Sequence, residues 1–567
     1  MRHRFHRFAL LSTLLFTLLL ALWGLKQNVN AAPAPLRGGA VPGAANPQSS
    51  SLYLPMVLRD FEPGRIPEKL GLVFVNSAED HRTATRIQRG VVAGADLDRF
   101  PLYWHEVETS AGVFDWSDMD QALQDNLAQG LHTMPIFLGT PPFYFPTPFT
   151  PDNTVPLPPI GGGPLRDAAL PDAPQRPMDN GCTVAGTPPA QNIFQPIFSD
   201  GTDIPGPGKT INPNNYWARF IFKAVERYKP GGVAGTEVKY WELWNEPDLC
   251  HFFGGTVAEY TRMLKVGYLA IEQADPAAYM LWGGLAQYGP KYENGYHFLN
   301  QLVDGLMADP MAVDYDGFFD APAIHHYSRV TLGYSDKVNI INALSGTPWL
   351  GKRIWVTESG VPVCGSYPGP DCPSPYRGTA EEQASYIWQN IAYSRIGGYM
   401  GPIFHFQLHD DCGNIPSPTP PADAFGLVTN EQSSWCTPHY AEPRPSYSAY
   451  QVAANYLVDG RFRYSDQPIY GMRRLVLEDE PTNERRTLIW AVDGFDVTFT
   501  VQALGSEALV IRPDGSYNVY TPVAGGYEFV LPAATNQNFP GSTFYSIGGV
   551  PYLVIEDLDG GPAPAMR

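Results

Sequence analysis

From Leu70 to Leu457 short apolar runs alternate with stretches in which apolar residues return every three or four positions. The first pattern marks buried strands and the second marks helices with one buried face. Strands are predicted at Leu70–Ser77, Leu97–Trp104, Thr133–Leu138, Val238–Trp244, Tyr279–Leu285, Phe318–Tyr327, Arg353–Thr357 and Gly401–Leu408. Helices are predicted at His81–Gly94, Trp116–Gly130, Tyr216–Tyr228, Thr256–Ala274, Tyr292–Met307, Lys337–Leu344, Ala380–Gly397 and Tyr447–Leu457. Thr256 with Glu259, and Thr379 with Glu382, have the spacing of a capping box, in which side chain and backbone satisfy each other's free groups. Within the seventh helix, Ala384, Ile387, Trp388, Ile391 and Ala392 form one apolar stripe. Eight strand–helix units predict a closed (β/α)8 barrel, an α/β fold, over 70–460. No GxGxxG follows the first strand, which argues against an open dinucleotide-binding sheet.

Beyond Gly460 the period shortens to two. Runs such as Arg474–Leu477, Leu488–Ala491 and Ala508–Ile511, separated by turn pairs such as Asp514–Gly515, predict an all-β sandwich domain over 461–567. At the other end, Arg2, Arg4 and Arg7 precede an apolar run from Phe8 to Leu25, followed by the small-residue stretch Val29–Ala31. Residues 1–31 therefore read as a secretory signal peptide and the protein as extracellular, with an uncleaved membrane anchor as the alternative. The Ala-, Pro- and Gly-rich residues 32–69 read as a linker or N-terminal extension. Between the third strand and the helix after it, 18 of the 56 prolines fall in residues 141–213. In a barrel such a loop lies on the catalytic face and is expected to wall the cleft.

Composition narrows the function. The chain has 567 residues, 44% hydrophobic, and a net charge of −19. That charge is wrong for displacing counterions from nucleic acid, so no nucleic-acid partner is expected. Cys182, Cys250, Cys364, Cys372, Cys412 and Cys436 all follow the signal, and an even number in an exported chain reads as disulfides. Proximity favours Cys364 with Cys372 and Cys412 with Cys436, leaving Cys182 with Cys250. None forms a CxxC pair, which argues against zinc.

Two carboxylates stand out. Glu246 follows Trp244–Asn245 at the end of the predicted fourth strand, where Pro247 stops it, and Glu358 ends the seventh. Strand ends on that face carry catalytic groups, and these two strands lie across the ring from one another. Facing carboxylates are what glycosidic cleavage needs, one to protonate the leaving oxygen and one to meet the cationic sugar carbon. Glu79, Asp80, Glu106 and Glu108 read instead as a solvated rim. His405, His409 and Asp410 do not share a helical face, so no metal is expected there, and no cofactor is implied.

Over 70–460 these features resemble the clan of retaining glycoside hydrolases on (β/α)8 barrels that includes families 5, 10 and 39. Trp244–Asn245–Glu246–Pro247 is similar to its acid/base motif and Glu358 to its nucleophile, while Gly112–Trp116 is similar to its turn into the second helix. Asp96–Trp104 resembles the second-strand segment of family 5, which implies that Arg99 keeps the nucleophile ionised and that Trp104 binds or supports. Asn245 is then the residue that meets the sugar 2-hydroxyl. Ile324–Tyr327 matches the clan's His-x-Tyr pattern, implying that His325 binds sugar and Tyr327 bonds the nucleophile. Strand alternation sends His325 and Tyr327 to one face and His326 to the other. The trailing β domain also suits family 39. One departure is the end of the eighth strand, where Phe404–His409 lacks the clan's tryptophan. The resemblance implies a carbohydrate substrate and a secreted retaining β-glycosidase. A non-catalytic carbohydrate-binding barrel and a transglycosylase are the alternatives.

Overall fold

The computed structural model describes residues 70–79, 82–146, 186–249, 252–286, 298–363, 378–398, 400–410, 424–429, 441–535 and 544–567. The signal segment, the linker, residues 147–185 of the proline-rich loop and all six cysteines lie outside the described residues.

Eight parallel strands form the barrel: β1 (Leu70–Val73), β2 (Leu97–Tyr103), β3 (His132–Leu138), β4 (Tyr240–Leu243), β5 (Tyr279–Trp282), β6 (Ala323–Tyr327), β7 (Ile354–Gly360) and β8 (Met400–His405). They pair in the order β5-β4-β3-β2-β1-β8-β7-β6. Between β5 and β6 the ring closes through Leu285 N to Ala323 O at 3.1 Å and His325 N to Leu285 O at 2.9 Å. The expected (β/α)8 barrel is therefore present. Its strands are buried on both faces, as parallel strands under helices must be. The interior is filled by rings: Trp355 of β7 stacks near Phe404 and lies against Tyr240 and Tyr279. Gly401 makes this packing feasible, since a Cβ there would stand 2.5 Å from Trp355.

The helices are α1 (Ala84–Ala93), α2 (Ser117–Ala128), α3 (Tyr216–Tyr228), α4 (Val257–Ala274), α5 (Phe298–Ala308), α6 (Leu332–Leu344), α7 (Ala380–Arg395) and α8 (Pro445–Tyr456). Both capping boxes form, on α4 and α7. The described part of the proline-rich loop pairs Thr187 with Phe253 and is tied to α4 by Arg262, which binds Asp203 at 2.5 Å and the Ile193 carbonyl at 2.8 Å.

The C-terminal strands are β9 (Arg461–Asp466), β10 (Met472–Asp479), β11 (Glu484–Ala491), β12 (Val497–Gln502), β13 (Ala508–Ile511), β14 (Tyr517–Tyr520), β15 (Gly526–Leu531) and β16 (Tyr552–Asp557). They make an antiparallel sheet of order β9-β10-β11-β16-β13-β14, faced by the pair β12-β15. Alternation divides the large sheet's side chains. Met472, Ile489, Val510 and Val554 pack against β12-β15, whereas Leu477, Trp490, Ile511 and Leu553 join the core of the barrel. Helix α7 is consequently buried on all sides, with Tyr393 against Trp490 and the Gln389 amide bonded to Gly549 O and Gly548 N.

Candidate active site

The site is built outward from Arg99, a fully buried guanidinium in the middle of β2. Its Nε donates to Glu242 Oε2 and its Nη1 to Glu358 Oε1, both at 2.5 Å. Its Nη2 donates to Glu242 Oε1 at 3.1 Å and Asn245 Oδ1 at 2.9 Å. Burial alone would lower the Arg99 pKa, but Glu242 and Glu358 outweigh it and raise it. The Tyr327 hydroxyl donates a short bond to Glu358 Oε2. Burial first, then Glu358, holds the Tyr327 pKa well above the ordinary phenol value, so the phenol keeps its proton. Glu358 thus accepts from two donors, one on each carboxylate oxygen.

Glu246 sits in the opposite environment. Its carboxyl is buried, and its pKa is raised well above the carboxylate range, first by burial and then by Glu358 and Asp248. One oxygen of Glu246, one oxygen of Glu358 and a ring nitrogen of His325 lie within 4.8 Å of one another. A small cation could span that distance. However, Glu358 already holds the Arg99 guanidinium and the Tyr327 hydroxyl, and a fixed positive charge at 2.5 Å opposes a metal ion.

His325 links the two halves. Nδ1 is 2.9 Å from Glu246 Oε1 and Nε2 is 3.0 Å from Thr357 Oγ1. The Thr357 hydroxyl donates to Glu242 Oε1 at 3.0 Å, so it can only accept from His325. Both Nη2 protons of Arg99 are committed elsewhere. The network therefore assigns the imidazole proton to Nε2 and leaves Nδ1 to accept from a protonated Glu246. Burial, followed by the charge of Arg99, pushes the His325 pKa well below its usual value, in keeping with a neutral ring.

Local backbone makes this convergence available. Trp244 and Glu246 adopt φ of +74° and +40°, a region bulky residues seldom enter. Surrounding bonds hold them there: Trp244 N to Phe137 O at 3.0 Å, Glu246 N to Gly284 O at 3.1 Å, and the Trp244 indole to Phe252 O at 3.1 Å. A register shift between β6 and β7 sets His325 opposite Glu358, with Thr357 as the extra residue. Gly284 clears the ring, because a Cβ there would stand 2.0 Å from His325 Nε2.

Arg99, Asn245, Glu246, His325, Tyr327 and Glu358, all expected at the site, are thus brought together. Asn245 has its oxygen committed to Arg99, and its buried Nδ2 has no partner among the described residues. His326 turns the other way and meets Asn390 Oδ1 of α7 at 2.7 Å. Trp104 belongs elsewhere: it is fully buried, stacks on Phe220 of α3 with ring centres 5.0 Å apart, and donates to Glu108 Oε2 at 2.6 Å. β2 ends one residue before it, and the indole packs behind the sheet. Glu108 is likewise a buried acceptor rather than a solvated rim residue, bonded to Trp104, Gly112 N, Tyr144 and Arg219. Glu106 is pushed up to about 8 by burial, Glu79 and Asp118.

Near β8 the groups weighed as metal ligands are taken: Asp410 by Arg444 at 2.6 Å, His409 by Arg89 at 2.9 Å, and His405 by Phe425 O at 3.2 Å. Where the resemblance leads one to expect tryptophan, Phe406 packs with Phe74, Phe425 and the ring of Tyr327. Sequence reasoning passed over Glu242, Thr357 and the Gly283–Gly284 pair. Glu242 did leave a signal, as an acid inside a buried strand four residues before Glu246.

No protein-family model matches the chain, and none of the curated proteins matches it. Among solved structures it is similar to a family 39 glycoside hydrolase from the gut symbiont Bacteroides cellulosilyticus WH2. The TM-score is 0.54 at 18% identity, over 87% of this chain and 81% of that one. It is also similar to a glucosidase from Croceicoccus marinus (TM-score 0.53, 12% identity, 87% and 96% covered). A third is the GH39 enzyme from Xanthomonas axonopodis pv. citri (TM-score 0.50, 15% identity, 87% and 94% covered). At these identities the shared property is the fold, a barrel with an attached β domain.

Proposed function

We propose that the protein is an exported retaining β-glycoside hydrolase acting on β-linked oligo- or polysaccharides. The observation that carries the reading is the pair Glu246 and Glu358, with oxygens within 4.8 Å, the Glu246 pKa raised by burial and by Glu358, and Glu358 bonded by Arg99 and Tyr327. Retaining glycosidases hold their carboxyl groups about 5–5.5 Å apart, whereas inverting ones need about 6.5–9.5 Å to admit a water. The fold shared with solved glycoside hydrolases supports the same reading.

In this mechanism a Glu358 oxygen bonds to the anomeric carbon as the glycosidic C–O bond breaks and the Glu246 proton passes to the leaving oxygen. Glu246, now a carboxylate, takes a proton from water. The water oxygen attacks the anomeric carbon, the ester bond breaks and Glu358 is released. Arg99 and Tyr327 bond the two oxygens of Glu358 and aim it, and the buried Asn245 Nδ2 supplies a donor for a sugar hydroxyl. Counting Arg99, Glu242, Glu358, neutral His325 and protonated Glu246, the cluster carries one net negative charge, which complements the cationic transition state.

The test is intact-protein mass spectrometry after exposure to a panel of 2-deoxy-2-fluoro β-glycosides. A sugar-sized adduct that Glu358→Ala abolishes is expected. No adduct with any sugar of the panel would count against the reading.

A further inference from the structure

Three turns of the C-terminal domain meet at one end of its large sheet. The pairs Met472–Ala491 and Ile489–Tyr552 place residues 467–471, 492–496 and 544–551 together there. Tyr470 projects from the first turn, 83% exposed, and stacks on Phe495 of the second, 44% exposed. The ring centres are 5.9 Å apart and the planes 15° from parallel. Phe495 lies flat on its neighbour because a Cβ on Gly471 would come within 2.6 Å of the ring.

The aromatic surface continues toward the barrel. Gly494 lies against the Tyr545 hydroxyl, with a Cβ at 1.9 Å if it had one. Beside Tyr545, half-exposed Phe544 carries the Arg329 guanidinium 4.9 Å from its ring centre. Arg329 follows Tyr327 by two residues, and Val330 N bonds Ser546 O at 3.1 Å. The second turn thus meets the third at Gly494 and Tyr545, and the third turn meets residues 329–330, just after β6, through Phe544 and Ser546.

Single exposed apolar residues are ordinary, but an exposed ring stacked on a second exposed ring is not. The chemistry favours one occupant. Flat rings match the C–H faces of pyranoses. The chain's charge of −19 opposes anionic lipids and polyanions.

We propose that Tyr470 and Phe495 form a glycan-binding platform that holds a neutral polysaccharide and directs it past Phe544 into the barrel cleft. The ligand class rests on the hydrolase reading above, and the platform makes the preferred substrate a chain long enough to reach both places.

The experiment is affinity electrophoresis of the full chain in gels containing arabinoxylan, mixed-linkage β-glucan, glucomannan or galactomannan. Glu358→Ala is present throughout to prevent degradation, with and without Tyr470→Ala/Phe495→Ala. Retardation by at least one polymer is expected, with the double substitution weakening it about tenfold or more. In separate activity assays with Glu358 intact, the ratio of polymer turnover to aryl-glycoside turnover should fall by a similar factor. No retardation of the parent by any of the four, or equal retardation of the variant, would overturn the proposal. A dimer-to-monomer change in sedimentation on substitution would assign the rings to self-association and overturn it too. Retardation that depends on Tyr470, beside an absent fluoroglycoside adduct, would remove the hydrolase reading and leave the platform.

Discussion

Removing the negative charge of Glu358 should lower the pKa of Glu246. The perturbation can be made by Glu358→Gln or by trapping Glu358 as a 2-fluoroglycosyl ester. Their oxygens lie within 4.8 Å. At an effective dielectric near 20, Coulomb's law gives about 332/(20 × 4.8), or about 3.5 kcal/mol, equal to about 2.5 pKa units. The Arg99 guanidinium, 2.5 Å from Glu358, screens part of this, so a fall of about 1 to 2.5 units is expected. Burial, the largest cause of the elevation, remains, and Glu246 should still titrate above an ordinary glutamate. The assay is a pH titration of the 13C-labelled Glu246 carboxyl by NMR in the free, substituted and trapped forms, assigned with Glu246→Gln. The sign follows from function: the free enzyme keeps its acid protonated, and the basic limb of kcat/KM should report the same elevated pKa. An unchanged or higher pKa in the trapped form would refute the coupling and the assignment of the pair.

Thr357→Val should free His325 to carry its proton on Nδ1 and donate to ionised Glu246, moving the basic limb of kcat/KM toward lower pH. Thr357→Ser should restore the limb, and identical pH profiles for all three would remove Thr357 from the relay. Gly284→Ala places a methyl 2.0 Å from His325 Nε2 and 2.7 Å from Thr357 Oγ1. Overpacking of this kind costs about 1–3 kcal/mol, so thermal unfolding should shift downward and kcat/KM fall at least tenfold. Retention of both would show that the ring has room to spare.

Much of the barrel was legible because its evidence is local. Helix α3 spans the predicted Tyr216–Tyr228, and the capping boxes of α4 and α7 stand where Thr256 and Thr379 indicated. Strand β5 ends at Trp282 rather than Leu285, since Gly283 and Gly284 trade regular pairing for close approach to Trp244 and His325. The carboxylates were readable from strand-end position and from the clan resemblance of their motifs. Their supporting groups were harder. Glu242 and Thr357 acquire meaning only when β2, β4 and β7 bring Glu242 to Arg99 and Thr357 to Glu242, each across more than a hundred residues of sequence. Helix α7 shows the same limit: one apolar stripe was visible, but Gln389 and Asn390 are also buried, because partners from the β domain and β6 satisfy their amides. Trp104 illustrates the converse, a residue next to a functional motif that turns into the wall between sheet and helices.

The large β sheet presents Leu477, Trp490, Ile511 and Leu553 to the same core that holds the barrel helices. Arg486 adds polar anchors to the junction, reaching the carbonyls of Tyr456, the last residue of α8, and Asp459 beyond it at 3.0 and 3.2 Å. A chain cut near 460 would expose both halves of that contact to water, with α7 stripped of apolar and amide partners at once. The barrel is therefore not a portable module. Transplanting it, or exchanging its β domain for a foreign one, requires keeping this shared face, and the two halves should melt in a single transition.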